Sequence, residues 1–80
     1  MKNDLEVVTM PLAMVKAGQR VHLVAVDAGC GLQARLADMG LVPGVEIEVV
    51  RNSLRGPFIV AVKGSRVVLG HGITQKIMVT

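Results

Sequence analysis

The side chains able to carry chemistry are few: one cysteine, Cys30; two histidines, His22 and His71; and the carboxylates Asp4, Glu6, Asp27, Asp38, Glu46 and Glu48. Enzyme chemistry needs some of these to converge as a nucleophile with a base, a carboxylate pair or a ligand cluster. Cys30 reads instead as a small residue in the bend before a helix, with no helix start or charged neighbour placed to activate the thiol. Glu46 and Glu48 alternate on the outward face of a strand, where they are solvated charges. No catalytic residue is assigned, and the chain is not expected to be an enzyme. As metal ligands, His22, Cys30 and His71 are the candidates. None shows paired spacing of the Cys-x-x-Cys or His-x-x-x-His kind. His71, between Gly70 and Gly72, reads as a turn residue, and His22 shares its strand face with Val24 and Val26. The five methionines are spread along the chain, which argues against a soft-metal thioether cluster. A site shared across a homo-oligomer would escape this reasoning.

A binding module is the class that remains. The segment Leu54-Arg55-Gly56-Pro57-Phe58 sets Leu54, Arg55 and Phe58 at a strand entry. Exposed apolar residues beside an arginine are common interface anchors. Phe58 has a competing place in the core, because the chain has no other ring to spend there.

Composition narrows the partners. Eighty residues allow one domain, and a hydrophobic fraction of 51% supplies a small core. Phe58 is the only aromatic residue. Readers of single-stranded nucleic acid stack bases on aromatic rings, and proline-rich peptides dock in aromatic grooves; neither function suits this chain. Nine basic and six acidic residues give a net charge of +3, but the basic residues never form a run. Nucleic acid is therefore not expected, while an acidic protein partner or the cytoplasmic leaflet of a membrane would suit. No apolar run approaches the ~20 residues needed to span a bilayer, and one cysteine cannot close an internal disulfide. These features predict a soluble, cytoplasmic domain.

The elements that must position these residues follow from patterning. Residues 1–10 form an extension, either a short edge strand or a tail, and the domain occupies 11–80. Leu12 and Val15 anchor a turn closed by Gly18. Arg20 to Val26 reads as a strand that sets Val21, Leu23 and Ala25 against His22, Val24 and Val26, apolar on both faces. Leu32, Leu36 and Met39 then recur at helical spacing and form one apolar stripe, with Gln33, Arg35 and Asp38 on the other faces. Gly40 stands where a helix ends on a left-handed residue, Leu41 folds back onto the last turn, and Pro43-Gly44 suits a type II turn. Val45 to Arg51, Phe58 to Lys63, Arg66 to Leu69 and Lys76 to Thr80 read as further strands. Gly64-Ser65 is expected to be a type II′ hairpin turn, and Ile73 to Lys76 a single helical turn. The fold class predicted is mainly β: a small five-stranded barrel with one short α-helix inserted after the first strand.

The run from Arg35-Leu36 through Met39-Gly40-Leu41, Pro43-Gly44 and the alternating Val45 to Val49 resembles the signature of the ferrous iron transport protein A (FeoA) family. The likeness continues through Gly56-Pro57, Val62-Lys63-Gly64, Leu69-Gly70-His71-Gly72 and Lys76 to Val79. It departs at Ile73-Thr74-Gln75, where many members carry acidic and alanine residues. The resemblance implies an SH3-like barrel and a small cytoplasmic accessory that docks to the membrane ferrous-iron transporter FeoB, at its G-protein-like region. It implies no small-molecule substrate. The same barrel closes metal-dependent repressors, so the alternative is a metal-sensing module that holds Fe²⁺ or another divalent transition metal.

If the helix packs on the barrel through Leu36, then Leu36→Ala should cost about 2–5 kcal/mol, read as a shift in the denaturant midpoint. A loss below about 1 kcal/mol would place Leu36 outside the core.

Overall fold

The computed structural model describes residues 8–80. The expected edge strand or tail over residues 1–10 lies mostly outside the described residues, with only its end in view. That end is β1 (Met10–Pro11), which runs into a 3-10 turn over Leu12–Met14. After it come β2 (Arg20–Val26), α1 (Cys30–Asp38), β3 (Glu46–Asn52) and β4 (Phe58–Val62). The chain finishes with β5 (Ser65–Leu69), the short α2 (His71–Thr74) and β6 (Ile77–Val79). The strands form one antiparallel sheet in the order β1-β6-β2-β3-β4-β5. The mainly β architecture with one inserted helix stands as expected. It gains a sixth, two-residue strand, because Met10 and Pro11 pair with Val79 and Met78. Proline lacks the N–H that an interior strand must donate, so the sheet edge is where it fits.

One core serves the whole sheet, fed by Leu12 beside β1, by Leu69 of β5 and by Leu36 of α1. Every buried hydrophobic in it except Phe58 is Leu, Ile or Val. The alternation predicted for β3 holds and extends to β4 and β6: Ile47, Val49, Phe58, Val60, Ile77 and Val79 are all fully buried. β2 departs from it. Its pairing with β6 shifts between Leu23 and Ala25, and an extra residue in one strand reverses the phase of the side chains beyond it. Val26 therefore packs against the core with Val21 and Leu23, while Ala25 is exposed. The strand is covered on one face, not two. A second shift, between Val49 and Arg51 in the pairing of β3 with β4, bends the sheet again.

The helix is pinned by its C-terminus. Gly40 has φ +88°, Leu41 N–H reaches the Leu36 carbonyl at 2.9 Å, and Gly40 N–H reaches that of Ala37 at 2.9 Å. This pair of bonds lets Leu36 and Leu41 enter the core together. Met39 does not join them. It is the C-cap residue with φ −93° and ψ 7°, and the chain turns there before another buried face forms, leaving Met39 43% exposed. The type II turn at Pro43-Gly44 is present, with Val45 N–H bonded to the Val42 carbonyl at 3.1 Å and Gly44 at φ +90°.

The β4–β5 hairpin turns one residue earlier than expected. Val62 pairs with Ser65, so Lys63 and Gly64 are the central residues, at φ +51° and +81°. Two positive values define a type I′ turn, which matches strand twist as well as type II′ does. Lys63 bears the strain, since a side chain in this region costs about 1–2 kcal/mol and asparagine tolerates it better. Lys63→Asn should therefore stabilise the domain by about 0.5–1 kcal/mol, which for a domain of this size raises Tm by about 2–8 °C. A lowered Tm would show that Lys63 makes a compensating contact.

Candidate functional site

The loop between β3 and β4 is held from three sides. At its start, Asn52 Nδ2 donates to the carbonyls of Ala13 and Val15, at 3.1 and 2.8 Å. Within it, Gly56 N–H donates to Ser53 Oγ at 3.2 Å. A Cβ on residue 56 would lie 3.2 Å from both Ser53 Cβ and Oγ, and 3.4 Å from Arg51 Nη2. Glycine is needed there for close approach. At its end, His71 Nε2 lies 3.0 Å from the Gly56 carbonyl. A carbonyl only accepts, so this nitrogen carries the proton. The His71 carbonyl accepts from the buried Thr74 Oγ1 at 2.8 Å, and its ring stands edge-on to Phe58, with centroids 6.5 Å apart.

These bonds sort the expected docking residues. Leu54 is 99% exposed at the tip of the loop, and Arg55 beside it is exposed too. Phe58 is not available for contact. It is fully buried, because it opens β4 on the face that carries Val60 and Val62 into the core. The single ring is spent on packing.

The proposed metal ligands sit on separate elements. His22 is exposed in β2, opposite Glu46 of β3. Cys30 is exposed and is the first residue of α1, not part of the bend before it. His71 opens α2 and is engaged with the loop. Among the described residues no three or more His, Cys, Asp or Glu side chains are grouped to hold a metal ion. No helix among them is long and apolar enough to cross a membrane.

One feature escaped the sequence reading. An apolar groove of about 490 Å³ runs between β2 and α1, lined in part by Val24, Val26, Ala34, Ala37 and Val42, with Cys30 on its wall. Gln33 lies off the apolar stripe, as expected, and stays exposed while its amide reaches back. Its Nε2 donates to the carbonyls of Val26 and Ala28 at 3.1 and 2.9 Å, which ties the helix to the end of β2. The small pair Ala34 and Ala37, three apart on one helix face, was the available signal.

The FeoA domain family model matches residues 10–80. A relative from Methanocaldococcus jannaschii, named "Putative Fe(2+) transport protein A", is 45% identical over 69 residues, covering 86% of this chain and 83% of that one. The crystal structure of an iron uptake regulatory protein (FeoA) superposes with a TM-score of 0.80 at 30% identity, over 91% of this chain and 96% of its own. The IdeR protein of T. acidophilum superposes with a TM-score of 0.81 at 23% identity, over 98% of this chain and 36% of its own. That last likeness shows the fold alone, and together these matches identify it as SH3-like.

The loop's footing can be tested directly. Asn52→Ala removes both bonds to the 13–15 segment and should cost about 1–2 kcal/mol. It would appear as a lowered denaturant midpoint with an unchanged m-value. An unchanged midpoint would show that packing alone holds the loop.

Proposed function

The chain belongs to the FeoA family and so has a role in ferrous-iron transport; from that premise we propose that it is a non-catalytic cytoplasmic accessory that docks to the membrane transporter FeoB. The contact we assign is the β3–β4 loop, through Leu54 and Arg55, against the transporter's G-protein-like cytoplasmic region. The observation that carries this reading is the state of Leu54. A leucine left 99% exposed on a loop braced by Asn52, Ser53 and His71 is a preorganised contact, since little ordering is left to oppose binding. Arg55 supplies a cation beside it, and arginine is enriched among interface anchors.

The fold shared with IdeR supports no metal-sensing role here. That likeness concerns architecture, and His22, Cys30 and His71 stand on three different elements. Fold does not carry function by itself.

The test is co-purification with the transporter's isolated cytoplasmic domain. The wild-type chain should be retained, and Leu54→Asp should weaken binding by about tenfold or more, as expected for a central apolar anchor. Full retention of the variant removes the loop from the contact. Failure of the wild-type chain to bind removes the docking reading itself.

A further inference from the structure

Charge is unevenly distributed along this chain. From residue 49 to residue 80 there are five basic residues and no acidic one, and between residues 8 and 26 Lys16 and Arg20 stand without an acid. The fold brings parts of both stretches to one end of the molecule. Asn52 bonds to Ala13 and Val15, and Gly18 N–H reaches the Val49 carbonyl at 2.7 Å, so the 13–18 segment runs beside the end of β3. That end carries Lys16, Arg51 and Arg55, all exposed. Two large apolar side chains are exposed on the same segments, Leu54 and Met14, the latter 68% exposed on the 3-10 turn. The nearest carboxylate along β3, Glu48, lies three positions before Arg51 and faces Arg20 of β2.

We propose that this end of the molecule rests on an anionic lipid surface, with Leu54 and Met14 seated among the headgroups and Lys16, Arg51 and Arg55 against lipid phosphates. Charge complementarity carries the choice of partner. A bilayer interface presents fixed negative charge and accepts apolar tips without needing a matching shape. Leu54 and Met14 are isolated exposed tips on the segments that carry Lys16, Arg51 and Arg55, an arrangement that needs no matching recess in its partner. Each cation close to an anionic surface strengthens binding about fivefold. The result is a shallow, reversible association whose strength falls as salt screens the surface. It uses Leu54 and Arg55, the residues also assigned to the transporter contact, so at the loop the two associations are alternatives.

Vesicles contain no protein, so sedimentation with them separates the two ideas. The chain should bind vesicles of one part phosphatidylglycerol to two parts phosphatidylcholine, bind pure phosphatidylcholine far less, and release as salt rises. Replacing both cations of the loop region, Arg51→Gln with Arg55→Gln, should weaken binding by about 25-fold, and Leu54→Ser by about tenfold. Arg66→Gln removes one charge from the far end of the β4–β5 hairpin and should cost under about twofold, against about fivefold for one cation at the proposed contact. Thermal melts of each variant confirm that it is folded. Equal binding to neutral and anionic vesicles, a loss of about fivefold or more for Arg66→Gln, or an indifferent Leu54→Ser would each overturn the proposal. None of these results bears on co-purification with the transporter domain.

Discussion

Leu36 and Leu41 meet inside one core because the chain reverses between them, and that reversal rests on a backbone angle only glycine adopts without strain. Gly40 at φ +88° permits the two bonds that close the last turn of α1. Without them the helix would continue past Met39 and carry Leu41 away from the sheet. A curled sheet this small has few other means of covering its interior. Its core holds one ring and otherwise only branched aliphatics, so no large side chain stands ready to fill a gap. The helix must therefore be seated by its end. Gln33 fixes the opposite end through the carbonyls of Val26 and Ala28, and the groove between β2 and α1 is the space that the small Ala34 and Ala37 leave between these anchors.

The surface is organised by the same economy. With Phe58 drawn into the core, the loop ahead of β4 has only Leu54 left as an apolar tip. Its backbone is nonetheless held by Asn52, by Ser53 and by His71. The polar residues of this region thus act on the main chain, and the reactive-looking His71 is a brace. What this region offers to other molecules is a braced, basic edge with isolated apolar points.

Most of the architecture could be read from the chain, because it depends on local signals. Period-two alternation located β3, a short apolar run ahead of Gly64 located β4, and the Gly-Leu and Pro-Gly pairs located both ends of the helix-to-strand connection. The errors came where pairing between distant segments decides. The shift between Leu23 and Ala25 is set by β6, more than fifty residues later in the chain, and nothing within β2 announces it. The hairpin moved by one residue because the register of Val62 with Ser65 outweighed the discomfort of Lys63. Met39 kept helical spacing but fell one residue beyond the helix. At the site, the exposure of Leu54 was legible from its place between polar residues. The attachment of the loop to Ala13 and Val15 was not, since it joins residues nearly forty positions apart.

The placement of β6 also governs how the molecule is assembled. It lies between β1 and β2, so the two earliest strands have no common partner until residues 77–79 exist. A nascent polypeptide leaving the ribosome can close the β4–β5 hairpin at once, yet β1 stays unmatched until residues 77–79 have emerged. Such distant pairings are slow to form. Closure of this sheet accordingly waits on β6, and β1 is the strand most in need of shelter until then.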